Sequence, residues 1–593
     1  MKEFFKMFFA SFLAVFIAGV VSIGLIIGMI ASASKAITEN KDKVASGDVL
    51  VIDLSHRIHE SGESNSFAVF SKGTAYDAGL YDITNALSKA KTDNDIKGML
   101  LKLSPAQMGW ATLQQLRTAI VDFKASGKFV YAYGEDISQG AYFVASAADS
   151  IYLNPAGGID LKGFATTLAF FKGTLDKLEL QPEIFYAGKF KSATEPFRAE
   201  KISDPNRQQI MAMQSGLWNE FTAAAAQYMH TDAAAVTKLA VDGTIQFPGD
   251  ALNNKMVAGL LYWDEVEGRI KLKTGRKDNG NNKYITIDEY VSNNRFDENV
   301  SSNRIAVLIA EGEIVDGEQN SSTQIASQTF CEEIRKVAKD DKIKAVVLRV
   351  NSPGGSALAS EVILRELDLL KKKKHLIVSM GDYAASGGYY ISSHADSIFA
   401  QPTTITGSIG VFSMMFNIDK LMKNKLGVTF DGVKNAPYAD LPSTSRPLTA
   451  EEARRMQNSV DTIYALFKNH VVQGRKLTQA EVDSIAQGRV WTGSDALGIH
   501  LVDRLGGLNT AIASAATMAG VKDYKVVTFP EPEDKLSTLM RKLKNNTAAS
   551  AAVKTAIKEE MGTDEYLWYE QLQSLRRMQG KALMAMPFVM SVK

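Results

Sequence analysis

IKAVVLRVNSPGGSALASEVILRELDLLKKKKHLIVSMGDYAASGGYYISSHA, residues 343–395, reads as strand, helix, strand, helix. IKAVVLRV (343–350) is an apolar run of strand length that stops at the Gly/Pro-rich turn NSPGGS. SALASEVILRELDLLKKKK then places its apolar residues at helical spacing. HLIVSM (375–380) is a second short apolar run, and GYYISSHA, after Ser386, opens another helix. Alternating strands and helices of these lengths predict an α/β fold, with parallel strands joined through crossover helices.

The same pattern occurs a second time upstream. SQGAYFVASAADSIYLNPAGGIDLKGF, from Ser138, matches ASGGYYISSHADSIFAQPTTITGSIGVF, from Ala385. Tyr142 and Tyr389, Asp149 and Asp396, Pro155 and Pro402, and Gly163 and Gly410 are each 247 positions apart. Ser104-Pro105 matches Ser352-Pro353 at 248, while Gly243 and Ala251 match Gly488 and Ala496 at 245. Two tandem repeats are expected, 47–265 and 304–528. Between them 266–303 reads as a linker, because KTGRKDNGNNKY (273–284) is polar and rich in Gly and Asn. The segment 529–593 is rich in Lys, Glu and Ala and reads as a helical extension. Its apolar end, ALMAMPFVM, is too short to span a bilayer.

Composition removes several function classes. The 593 residues exceed one ordinary core, and a formal net charge of +1 implies no polyanion, so nucleic-acid binding is not expected. The single Cys331 permits no internal disulfide and no Cys-cluster metal site, and the seven His show no ligand spacing. Met7 to Ser34 is uncharged over 28 residues. That exceeds the roughly 20 needed to cross a bilayer and the core of a cleaved signal peptide, so a transmembrane anchor over 7–34 is expected. Ala31 to Ser34 also resemble a cleavage site. Lys2 and Lys6 favour an inside N-terminus; Lys35, Lys41 and Lys43 on the far side weaken that bias.

Three places could carry chemistry. Ser386 lies where a strand meets a helix, and there the N–H of Gly387 can face a developing oxyanion. The same serine could equally serve as a helix N-cap. NSPGGS (351–356) could supply a second donor from Gly354 or Gly355, or be an ordinary turn. A hydroxyl nucleophile needs a base. His394 lies about 12 Å further along the helix and cannot reach it. A buried lysine can act instead. GKFKSATEPF (188–197) in the first repeat carries Lys189 and Lys191, which could also be surface lysines. The first repeat has Gln139 where the second has Ser386, and Ala106-Gln107 where the second has Gly-Gly. The second has Tyr438 or Ala439 where the first has Lys191. Complementary loss across a duplication suggests one composite site.

At VNSPGGS, MGDYAASGGYYIS, TITGSIGVF, GKFKSATEPF and GRVWTGSDALGIHLVD the chain resembles the signal peptide peptidase A (protease IV) family in its long, duplicated form. The resemblance implies a ClpP/crotonase-like fold and a serine protease. It assigns Ser386 as nucleophile, Lys191 as general base and Ser408 as the residue orienting the lysine. It further implies a homotetramer on the outer face of a bacterial inner membrane, acting on signal peptides left in the bilayer and on unfolded polypeptide, without cofactor or metal. A crotonase-type acyl-CoA enzyme and a non-catalytic membrane scaffold are the competing readings.

Overall fold

The structure, a computed structural model, describes residues 48–64, 76–105, 108–275, 282–294, 301–319, 324–531 and 580–586, with Lys6, Leu13 and Ile17 as isolated positions. The expected anchor over 7–34 therefore lies outside the described residues apart from Leu13 and Ile17, as do Ala106 and Gln107. No helix among the described residues is long and apolar enough to cross a membrane.

Each repeat builds one largely parallel sheet, and the two sheets share a strand order. In the first the order is Gly259–Leu260, Ser150–Ile159, Phe129–Ile137, Ile96–Leu103, Asp48–Asp53, Tyr284–Thr286, parallel throughout. In the second, Arg504–Leu505, Ser397–Ala400, His375–Ala385, Ile343–Ser352, Arg304–Glu311 and Lys525–Phe529 follow in the same sequence. Three central strands start 246 or 247 positions apart (343 − 96, 375 − 129, 397 − 150).

Both faces of each sheet are covered, which explains the continuous apolar runs. Leu50 and Ile52 face the helices Leu80–Ala90 and Trp110–Lys124, while Val49 and Val51 face the helix Trp263–Thr274. In the second repeat Ala306, Leu308 and Ala310 enter the larger core, and Ile305, Val307 and Ile309 pack on the helix Leu508–Met518.

Two sequence boundaries need correction. The segment read as a linker from 266 contains most of Trp263–Thr274, whose Val266 and Ile270 are buried, and the edge strand Tyr284–Thr286. Its Asn and Gly content marks turns between these elements. The described part of the extension, Gly580–Met586, holds the strand Ala582–Ala585 and no helix.

The repeats are joined by a third sheet. Its order is Gln324–Ala326, Glu313–Val315, Gly354–Ser356, Ala582–Ala585, Val411–Asn417, Gln181–Ala187. The last pair is antiparallel from Val411↔Ala187 to Asn417↔Gln181, so a first-repeat strand adds directly to the second repeat. Two polar ties accompany it. Arg349, fully buried, donates to both Glu60 carboxylate oxygens, at 2.8 and 3.1 Å. Asp382 accepts the backbone N–H and the hydroxyl of Thr112, each at 2.8 Å, near the start of the helix Trp110–Lys124. A carboxylate from one repeat thus satisfies a helix N-terminus of the other.

Candidate active site

Ser386 stands between the strand His375–Ala385 and the short helix Gly387–Ser392. Its backbone is at φ 56, ψ −111, a conformation that costs a non-glycine residue on the order of 1–3 kcal/mol. Its N–H donates to Gly407 O at 2.8 Å, and its carbonyl accepts from Tyr390 N at 2.8 Å. The hydroxyl makes no capping bond to the helix, so the N-cap reading fails. Instead Ser386 Oγ lies 2.8 Å from Lys191 Nζ and 3.4 Å from Gly410 O.

Lys191 arrives from the other repeat, four residues past the strand Gln181–Ala187. Because that strand is held in register on Val411–Asn417, the following turn comes to rest against the TGSIG segment. Phe190 N donates to Gln487 O at 2.8 Å, and Gly488 N donates to Ile409 O at 2.8 Å. Gly488, at φ +74, is required here: a Cβ would meet Lys191 backbone and Cβ atoms at about 2.7 Å. The lysine is 1 % exposed. Its Nζ contacts Ser386 Oγ, Ser408 Oγ at 3.1 Å and Ser408 O at 3.3 Å, hydroxyl and carbonyl oxygens with no carboxylate among them. Burial without a compensating anion pushes its pKa well below the ordinary lysine value. The environment thus favours the free amine. Ser408 is itself strained, at φ 50, and is held by its N–H to Arg489 O at 2.7 Å.

The three oxyanion candidates converge. Gly354 has φ +96, and a Cβ there would lie 2.0 Å from Met584 O, 2.7 Å from Gly387 N and 2.9 Å from Ala385 O. Only glycine admits three backbones that closely. The N–H of Gly354 donates to Ser352 Oγ at 3.1 Å. Gly355 is in register with Ile314 on one side and Met584 on the other. The strand Ala582–Ala585 thus lies antiparallel between Gly354–Ser356 and Val411–Asn417, beside the serine.

The matching place in the first repeat is filled. Gln139 accepts from Lys162 N and Gly163 N at 2.8 and 2.9 Å and donates to Gly163 O at 2.9 Å. Gly163 is the counterpart of Gly410, so an amide occupies the position of the nucleophile. Tyr438 and Ala439, the counterparts of Lys191, are exposed. His394 pairs with Asp368 at 2.9 Å and His470 at 3.3 Å, away from Ser386 Oγ. Cys331 is buried, and burial pushes its thiol up to about 11.

Sequence reasoning missed a buried polar group behind the lysine: Ser192, Glu195, Asn206 and Gln209. Glu195 was visible within the quoted GKFKSATEPF. Asn206 and Gln209 lie in a helix, Asp204–Met229, whose sequence carries no signal of a site.

The family model for peptidase family S49 matches the chain twice, over residues 122–276 and 368–522, starting 246 positions apart (368 − 122). Protease 4 of Salmonella typhi is 37 % identical over 487 residues, covering 79 % of this chain and 77 % of that protein. Protease 4 of Haemophilus influenzae is 35 % identical over 78 % of this chain and 77 % of its own length. Serine protease SPPA of the Arabidopsis thaliana chloroplast is 31 % identical over 82 % of this chain and 72 % of its own.

Proposed function

The chain belongs to peptidase family S49 and is a serine protease, and from that premise we propose that it cleaves peptide bonds with Ser386 as nucleophile and Lys191 as general base. Membership sets aside the acyl-CoA and scaffold readings. The observation that carries the proposal is the 2.8 Å approach of Lys191 Nζ to Ser386 Oγ, in a buried site that favours the neutral amine.

The amine takes the hydroxyl proton as Oγ bonds to the scissile carbonyl carbon. The resulting oxyanion is met by the N–H of Gly387 and by a donor from Gly354 or Gly355; Gly354 first gives up its bond to Ser352. The ammonium then protonates the departing amine, leaving an acyl-serine. Water, deprotonated by the same lysine, releases the acid and restores Ser386. Ser408 Oγ holds Lys191 Nζ on its path. A fluorophosphonate should form one adduct, on the peptide containing Ser386, and none in Ser386→Ala. An adduct on Ser352 or Ser408 instead would overturn the assignment.

Each repeat is read as a ClpP/crotonase-like unit, supported by the shared parallel strand order. The substrates are signal peptides left in the bilayer and unfolded polypeptide, and the chain acts as a homotetramer anchored through 7–34 on the outer face of the inner membrane. The uncharged Met7–Ser34 run supports the anchor. The full chain should stay with membranes through carbonate washing, enter detergent as a species of four chains, and become soluble and active when 7–34 is deleted. A deletion protein that still needs detergent would refute this single anchor.

A further inference from the structure

We infer that Gln209 is a positioning residue for the reaction: its side-chain amide ties the segment that bears Lys191 to the strand pair beside which Ser386 and Ser408 are held. The inference rests on the reading of Lys191 as base.

Gln209 sits in the second turn of the helix Asp204–Met229 in the first repeat and is fully buried. Its Nε2 lies 3.1 Å from Phe190 O and 3.0 Å from Ser192 Oγ, the residues on either side of Lys191. Asn206 Oδ1 is also near, at 2.9 Å. Ser192 Oγ donates its own hydrogen to Asn206 Oδ1 at 3.0 Å, so it is free to accept one from Gln209. Asn206 Nδ2 donates to Glu195 Oε2 at 2.8 Å. The two amide hydrogens of Gln209 thus face three acceptors, Phe190 O, Ser192 Oγ and Asn206 Oδ1, and the first two flank the lysine.

The other end of the amide reaches across the repeats. Gln209 Oε1 accepts from Val490 N at 3.2 Å. Val490 begins the strand Val490–Thr492, antiparallel to Ile405–Gly407 and in register with Gly407. The residue before it, Arg489, accepts Ser408 N at 2.7 Å, and Gly407 O accepts Ser386 N at 2.8 Å. One neutral side chain thus links the base to the backbone that sets both serines. Lysine has a long flexible stem, and displacement of a reacting group by about 1 Å can cost roughly 10²-fold in rate.

Glutamine suits this place for its lack of charge as well as its donors. A carboxylate would lose both donors, face Phe190 O with a like partial charge, and bring an anion toward the segment of an amine whose pKa burial lowers.

The test compares wild type, Gln209→Ala, Gln209→Glu and Lys191→Ala on a fluorogenic peptide with leucine before the cut, with thermal midpoints for each. Gln209→Ala should lower kcat about 10-fold or more, with KM within about 2-fold. Gln209→Glu should move the acid limb of the kcat profile to higher pH, a shift that a merely structural role would not produce. If Gln209→Ala does not fold, that shift decides alone. A Gln209→Glu profile with an unmoved limb and a kcat within about 2-fold of wild type overturns the inference. So does a kcat loss in Gln209→Ala alongside an unmoved limb in Gln209→Glu. Activity retained in Lys191→Ala would instead refute the reading of the base on which the inference rests.

Discussion

Lys191→Ala is expected to lower kcat/KM by roughly 10²–10⁴-fold, as fully as Ser386→Ala, although the residues lie 195 positions apart. A neutral serine hydroxyl is a poor nucleophile, and His394, bonded to Asp368 and His470, does not contact it. Lys191→Arg should be equally inactive, because a guanidinium cannot accept the proton. The double variant should be scarcely worse than either single one, since the two groups act as a unit. Lys189→Ala should keep most activity: its Nζ rests over the Phe190 ring. Both members of the site belong to one chain, so co-expressing the Lys191→Ala and Ser386→Ala chains should restore nothing.

The lowered pKa of Lys191 sets the sign of two pH effects. Activity requires the free amine, so it should rise with pH through a midpoint below the ordinary lysine value of 10.5. Between that midpoint and 10.5 the unfolded chain binds more protons at this residue than the folded one. Stability therefore increases with pH across the window, and the cost of burying the lysine vanishes above it. Lys191→Met should flatten that slope. A titration of kcat with no midpoint below 10.5, or an unchanged slope, would contradict the role given to burial.

Glu60→Ala should destabilise the protein by about 3–5 kcal/mol, because it leaves the buried Arg349 guanidinium without its partner. Arg349 also donates to Ser379 Oγ and Met380 O, which hold part of the charge but do not neutralise it. Asn351, at the end of the same strand, bonds Glu60 at 3.1 Å, so the damage should reach the NSPGGS turn and the activity with it. Replacing both members, as in Glu60→Leu with Arg349→Met, should recover much of the loss, since a buried ion pair is often matched by apolar residues of similar volume. Urea unfolding of the wild type and the two variants measures this. A Glu60→Ala loss below about 1 kcal/mol would mean that water or a rearranged partner solvates Arg349.

What the sequence determined alone is local or self-referential. IKAVVLRV and HLIVSM read as buried strands because apolar runs of that length have few other uses, and the 247-residue offset exposes a duplication without any knowledge of shape. The split of chemistry between repeats was also legible, since a serine at 386 against Gln139 is a comparison within one chain. The choice of Lys191 over Lys189 was not, because two lysines two positions apart differ only in where a turn points them. It came from resemblance, and the geometry brings Lys191 to the hydroxyl.

Only the tertiary structure decided which edges meet. Gln181–Ala187 pairs with Val411–Asn417, and Ala582–Ala585 becomes a strand because it lies between two others. Strand pairing depends on an available edge far away in sequence, and neither composition nor periodicity of the tail encodes one. The same holds for Gln209: a polar residue in a helix looks like any solvated one until folding closes a second repeat over it. Sequence carries the periodicity of each element. The depressed pKa of one lysine arises from burial against serines 195 and 217 positions away, and the strained backbones of those serines are held by Gly407 and Arg489.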